Sequence, residues 1–453
     1  MSPIDRVVPP APAPVRPFHF PQVDRDRWSN GCTLYRANYS AVPLASALLV
    51  LDAGAAREPA EQAGIARLTA RTIDTGTSRR TAEQLSWDLE SLGAHFSADT
   101  GWDSTMLLLT APADRMKAAV EILAGIASDA RFPDAEVERF RTEQIGEILQ
   151  NRSEPRMLAT ELISRFIYGA GSTYGRSVLG DTETVGRLTP GDVRAFHAAR
   201  GAPQTSALIL VGAVDDSLAD AAQSSFAAWR NEPSKAPPLA LPPTASGTSV
   251  HVVHRPGSVQ SEIRIGHPGI PRVDPDYFPL VIMNALLGGA FTSRLNMNLR
   301  ERQGWTYGVR SAFTPRRGPG PFVIGTAVAT DVTARAVREI LGEVERLQTD
   351  GATEDEVANM RDYLSGVLAL DVQTTQQLAG KLAELFLYDL PTDYFARYGE
   401  AIAAVQCADV DRVARQHIHR ERMTLVIVGD AKHVEPELAA LNLGPVQVHE
   451  ADV

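Results

Sequence analysis

Two apolar runs mark equivalent points of the chain. Ala207-Leu-Ile-Leu-Val-Gly212 and Thr424-Leu-Val-Ile-Val-Gly429 are β-branched stretches ending on glycine, and each begins 15 residues after an Asp-Val pair, Asp192-Val193 or Asp409-Val410. Each pair opens a segment with helical spacing and an acidic first turn, so each copy predicts a helix, a short loop and a buried strand. The offset between the copies is 217 residues at both landmarks. Upstream, Pro133-Asp-Ala-Glu-Val137 returns as Thr353-Glu-Asp-Glu-Val357 at an offset of 220, and Glu121-Ile-Leu123 as Glu339-Ile-Leu341 at 218. Four ordered matches at nearly constant offset predict one structural unit used twice.

The remaining pattern fills in each unit. In the first half, strand periodicity covers Ser46–Asp52 and a hairpin around His95–Thr110. Helical periodicity covers Gly64–Asp74, Thr81–Leu92, Met116–Ala127, Ala135–Gln150 and Pro155–Tyr168. In the second half, strands are expected at Val250–His254, Glu262–His267, Tyr307–Phe313 and Phe322–Ala329. Helices are expected at Tyr277–Leu287, Ser293–Arg300, Val332–Leu347 and Glu354–Leu370. Arg316-Arg317-Gly318-Pro319-Gly320 reads as the connection of a hairpin, and Gly288-Gly289 as a close approach of helix end and neighbouring backbone. The class is α+β: two tandem homologous domains, each a mostly antiparallel sheet with helices packed on one face.

Composition sets outer bounds. The chain has 453 residues, 44% hydrophobic and 22% charged, which suits a globular protein of several domains. Its 44 basic and 55 acidic residues leave a formal charge of −11, which argues against a nucleic-acid partner. No apolar run approaches the ~20 residues of a membrane span. Residues 1–21 read as a Pro-rich extended arm without a signal-peptide core. Residues 231–247 carry five prolines and read as a linker, dividing a first domain at 22–230 from a second at 248–453. Cys32 and Cys407 are the two cysteines and have no metal-binding or disulfide spacing. A soluble protein of the cytoplasm or the periplasm is expected. His251 and His254 stand three apart on a strand and so on opposite faces. His417 and His419 close a helix, where cations suit the dipole.

The chemistry concentrates in Leu299-Arg300-Glu301-Arg302-Gln303-Gly304-Trp305-Thr306-Tyr307, where an Arg and a Tyr stand seven apart around a glycine turn. With Asp52-Ala-Gly54, Gly64-Ile-Ala66, Thr75-Gly-Thr77, Leu92-Gly-Ala94, Val178-Leu-Gly180 and Leu287-Gly-Gly-Ala-Phe-Thr-Ser-Arg-Leu295, it resembles the pitrilysin or insulinase-like zinc peptidases, from about Pro21 to Gly444. That resemblance implies a duplicated α+β unit, two such pairs enclosing a peptide chamber. It also implies a His-x-x-Glu-His zinc motif directly after the Gly-Ile-Ala position, with a Glu ligand about 76 residues later. Here the two His positions are Arg67 and Arg71, the general-base position is Ala70, and only Glu147 stands at the distal ligand position. A guanidinium stays protonated and cannot ligate zinc, so no metal is expected in this chain. An arginine in the vacated space would pair with Glu147.

The family's second half-site is an Arg–Tyr pair that maps onto Arg300 and Tyr307. There the tyrosine hydroxyl donates to the scissile carbonyl as it becomes an oxyanion, and the arginine holds the peptide backbone. The resemblance therefore implies a non-zinc subunit that presents Arg300 and Tyr307 to peptide substrates at the zinc site of a homologous partner in a heterodimer. Two other readings stay open at this point: a non-catalytic scaffold, in which neither residue is needed, and a peptide-binding subunit that does not cut.

Overall fold

The computed structural model describes residues 18–39, 42–240 and 247–450. Most of the expected arm at 1–21 and the middle of the expected linker lie outside the described residues. The first half contains β1 (Val23–Arg27), β2 (Thr33–Asn38), β3 (Leu44–Leu51), α1 (Ile65–Thr72), α2 (Ala82–Ser91), β4 (His95–Thr100) and β5 (Thr105–Pro112). Then follow α3 (Met116–Asp129), α4 (Asp134–Ser153), α5 (Pro155–Tyr168), α6 (Thr182–Arg187), α7 (Pro190–Arg200), β6 (Ser206–Gly212) and α8 (Asp216–Phe226). The second half runs β7 (Ser249–His254), β8 (Gln260–Pro268), α9 (Tyr277–Asn284), β9 (Val309–Phe313), β10 (Pro321–Ala329), α10 (Thr333–Asp350), α11 (Glu354–Leu370) and α12 (Thr375–Leu387). It closes with α13 (Tyr398–Ala404), α14 (Cys407–His417), β11 (Thr424–Gly429), α15 (Ala431–Ala439) and β12 (Val446–His449).

The two sheets have orders β1-β2-β6-β3-β5-β4 and β12-β7-β11-β8-β10-β9. Five strands correspond one to one, and the repeated runs form the interior strands β6 and β11. Leu208 pairs in parallel with Leu34 and antiparallel with Leu49, and Leu425 likewise with Val250 and Ile265. Only the outermost strand differs: β1 comes from the start of the chain and runs antiparallel, whereas β12 comes from its end and runs parallel. The two copies of the fold thus descend from one pattern, closed in opposite ways.

The helices do not stay on one face. Every residue of β6 and β11 is buried, which requires cover on both sides. Leu208 and Leu210 pack on helices of their own half, but Ala207, Ile209 and Val211 pack under Leu378, Leu382 and Leu385 of α12. Reciprocally, Val426 and Val428 pack under Leu158, Leu162 and Ile163 of α5. Each half lends one helix to the outer face of the other's sheet, so the expected one-sided packing is corrected to a two-sided one. The unbroken apolar runs were the signal: a strand open to water on one face alternates.

The β9–β10 connection is a hairpin, as expected, and it also clasps the first half. Arg317 N–H donates to Asp103 at 2.9 Å, its guanidinium pairs with Asp52, and Tyr168 O–H donates to the Pro319 carbonyl at 3.0 Å. Gly288 sits against β9 so closely that a Cβ would lie 2.6 Å from Ser311 Oγ. This is the close approach that the glycine pair predicts.

Candidate functional site

Helix α1 is positioned by two buried polar residues. Glu58 accepts from the N–H groups of Gly64 at 3.1 Å and Ala66 at 2.8 Å, serving as a remote N-cap. Burial pushes its carboxyl up to about 8, against the lowering effect of those N–H groups and of Arg176. Gln144 of α4 donates to the Gly64 and Leu179 carbonyls at 3.0 and 2.9 Å, locking α4 against the start of α1. One turn further along α4, Glu147 then faces the C-terminal end of α1.

The residues at the zinc-motif positions meet there. Arg71 Nη1 donates to Glu147 Oε2 at 3.1 Å and Nη2 to Glu143 Oε2 at 3.0 Å. Arg67 donates to Asp99 of β4 at 2.6 Å and lies 4.0 Å from Glu147 Oε1. Ala70 is 1% exposed, so the general-base position is a buried methyl. Two guanidiniums and a methyl offer no lone pair, and the one carboxylate oxygen set is already paired. This donor set does not fit zinc. The anticipated Arg71–Glu147 pair is present; Asp99 and Glu143, which complete the network, come from segments the motif spacing does not point to.

Among the described residues, Asp274, Asp276 and His417 also approach metal-ligand spacing. Asp276 is instead engaged by Arg412 at 2.7 and 2.9 Å and by His417 Nε2 at 2.7 Å. Arg412 first, then His417, hold its carboxyl down at about 2. This is an ion pair at a helix end, in keeping with the reading of His417.

The second half-site is built differently from expectation. Tyr277–Asn284 passes into a π-helical turn over Ala285–Gly289, and Asn296–Arg302 is π-helical too. Such turns concentrate at functional sites. The latter ends on Gly304, at φ +67°, with Gly304 N–H donating to Arg300 O at 3.1 Å and Trp305 N–H to Leu299 O at 3.0 Å. Tyr307 does not begin a strand, since β9 starts at Val309; it tips the turn before it. Thr306 Oγ1 accepts from Gly308 N–H at 3.1 Å and lies 2.9 Å from Thr326 Oγ1, fixing that turn. Tyr307 is 99% exposed and makes no hydrogen bond within the described residues. Arg300 lies with its guanidinium 4.3 Å from the centroid of Phe291 and 3.5 Å from Glu301. Phe291, 63% exposed, is the residue the motif reasoning passed over, although it sits inside the glycine loop that carried the resemblance. No hydrogen bond or ion pair among the described residues joins Arg300 or Tyr307 to the α1–α4 cluster.

Known proteins resemble this chain in sequence and fold. Residues 36–182 match the model of Insulinase (Peptidase family M16), and residues 187–364 that of the Peptidase M16 inactive domain. An uncharacterized zinc protease of Streptomyces coelicolor is 24% identical over 79% of this chain and 78% of its own. One of Bacillus subtilis is 22% identical over 78% and 85%. A peptidase M16 inactive domain from Pseudomonas fluorescens superposes with a TM-score of 0.84 at 24% identity, covering 90% of this chain and 98% of that one. A protease from Helicobacter pylori does so with 0.84 at 17%, covering 90% and 99%.

Proposed function

The chain belongs to the insulinase-like M16 peptidase family, with an inactive-type second domain, and from that premise we propose that it is the non-zinc subunit of a two-chain zinc peptidase. The observation that carries this reading is an asymmetry. The metal positions are filled by an ion-paired Arg71, while Tyr307 stands fully exposed on a pinned turn with its hydroxyl making no hydrogen bond among the described residues. Selection for folding alone gives no reason to hold a fully exposed tyrosine on such a turn.

In this reading a homologous subunit bearing His-x-x-Glu-His supplies the zinc and the activated water. This chain supplies position and charge stabilisation. Tyr307 O–H donates to the peptide carbonyl oxygen as negative charge develops on it, and Arg300, braced on Phe291, steadies the adjacent backbone. A pre-placed donor of this kind contributes ~10²–10³ in rate. The test mixes the purified chain with the zinc-bearing subunit and follows peptide cleavage. Tyr307→Phe should cost ~10²–10³ in kcat with the complex still formed. Undiminished cleavage by the Tyr307→Phe mixture removes the catalytic role and leaves a scaffold.

A further inference from the structure

A cavity of about 490 Å³ lies where α4, α5 and the 176–179 segment meet β8, β10 and the clasping hairpin. Three arginines line it: Arg176, Arg264 and Arg316. Arg264 is satisfied, pairing with Glu262 at 2.9 Å and donating to Ile263 O at 2.9 Å. Arg316 and Arg176 have no carboxylate within ion-pair distance among the described residues.

Arg316 is the unusual one. It is 6% exposed, its guanidinium lies 4.2 Å from the Trp102 ring and 4.6 Å from the Tyr174 ring, and neither Nε nor Nη1 has a hydrogen-bond partner among the described residues. Burial pulls its basicity down, and Asp103 opposes this only at longer range, being itself engaged by Arg317 N–H at 2.9 Å. Two aromatic faces hold a cation in a fixed plane, but they do not replace a counter-charge in a buried setting. Arg176 adds a second cation whose Nε is also unpartnered among the described residues; it donates to the Glu58 carbonyl at 3.5 Å, and its charge also acts on the Glu58 carboxyl. Among the described residues the one acid on the wall is Glu161, whose carboxyl burial pushes up while Arg152 and Arg165 hold it down. Thr160, Ser164 and Ser177 contribute hydroxyls, while Met157, Ile163 and Val178 make much of the remaining wall apolar.

We propose that this inter-domain cavity binds a carboxylate carried on an apolar body, held between Arg316 and Arg176. Guanidiniums recognise carboxylate and phosphate alike; the apolar wall selects for a carboxylate with a hydrocarbon stem over a bare inorganic anion. Such a group is offered by a free organic acid or by the C-terminus of a peptide ending in an apolar residue. The site is independent of the Arg300–Tyr307 pair and needs no partner subunit. Because both halves contribute to its wall, an occupant would also brace one half against the other.

The test is titration calorimetry on the full chain, paired with thermal unfolding. The probes are N-acetyl-leucine, its neutral twin N-acetyl-leucinamide, inorganic phosphate, and a pentapeptide ending in leucine. N-acetyl-leucine should bind and raise the unfolding temperature, and the amide and phosphate should bind at least ~10-fold more weakly. Arg316→Met and Arg176→Met, which keep the aliphatic stems, should each weaken binding by ~10-fold or more. If Arg316→Met does not fold, Arg176→Met carries the comparison. Binding of the pentapeptide as well assigns the site to chain termini; binding of N-acetyl-leucine alone assigns it to free acids. The proposal fails if no carboxylate probe binds in the millimolar range. It fails equally if the amide or phosphate matches N-acetyl-leucine, or if the foldable variants bind unchanged.

Discussion

Arg71 Nη1 lies 3.1 Å from Glu147 Oε2, so the side chain at one zinc-ligand position neutralises the side chain at another. The arrangement is closed on itself. Arg71 also reaches Glu143, Glu143 reaches Arg139, and Arg67 reaches Asp99. These groups are partly exposed, so each pair contributes little to stability, ~0–1 kcal/mol. What the network does decide is chemistry, because it leaves no lone pair directed at a common point.

Reinstating the donors should reinstate metal binding. The triple variant Arg67→His, Ala70→Glu, Arg71→His places two imidazoles and a general base on α1 opposite Glu147. It should bind one zinc per chain by elemental analysis after dialysis. Arg67→His, Ala70→Glu, Arg71→His combined with Glu147→Ala should lose that zinc. Zinc retained in the fourfold variant would mean that Glu147 is not oriented as a ligand.

The turn that presents Tyr307 depends on Gly304. Its φ of +67° lies in the left-handed region, although a Cβ there meets nothing within 4 Å. Gly304→Ala should therefore destabilise the chain by ~1 kcal/mol through backbone strain alone. Tyr307→Phe, at a fully exposed side chain, should leave stability unchanged within ~0.5 kcal/mol. Chemical unfolding of the two variants checks both, and a large loss in Tyr307→Phe would assign the residue a structural role.

Glu58 should make the fold sensitive to mild alkali. Its pKa in the fold is raised to about 8 from an ordinary value of 4.5. The folded state therefore binds the proton more tightly than the unfolded state. The resulting stabilisation is complete below pH ~4.5 and is lost as pH climbs through about 8. The difference in unfolding free energy between the wild type and Glu58→Gln, read from urea unfolding, should shift against the wild type between pH 5 and pH 9, by up to a few kcal/mol at ~1.4 kcal/mol per pH unit. A shift in the wild type's favour over that range would mean that the α1 N–H groups outweigh burial.

Much of this molecule was legible from local pattern. The bounds of α5 and α11 are those the periodicity predicts, and the strands around β7, β8 and β10 fall where alternating or continuous apolar runs place them. The Arg71–Glu147 contact was legible through the family resemblance, which puts the distal ligand position 76 residues after the second histidine position. Other features were not. A π turn differs from an α turn by one residue in its hydrogen bonding, and nothing in Asn296–Arg302 encodes that difference. The ion pair of Arg67 with Asp99 joins a helix to a strand of separate origin in sequence. Arg316 lay in a stretch that any hairpin loop could resemble; only the packing of the other half around it, with Trp102 and Tyr174 on its faces, makes it distinctive.

The exchange of α5 and α12 bears on how the protein comes apart. Among the described residues no helix of its own half covers the outer face of either sheet, so removing one half leaves Ala207, Ile209 and Val211, or Val426 and Val428, facing water. Calorimetry should accordingly record one heat-absorption peak for the whole chain rather than one for each half. Leu382→Ala, buried in α12 against the opposite sheet, should lower that single peak, losing ~2–5 kcal/mol. A chain cut once between residues 231 and 247 should migrate as an intact particle until denaturant is added, its two fragments each wearing the other's helix.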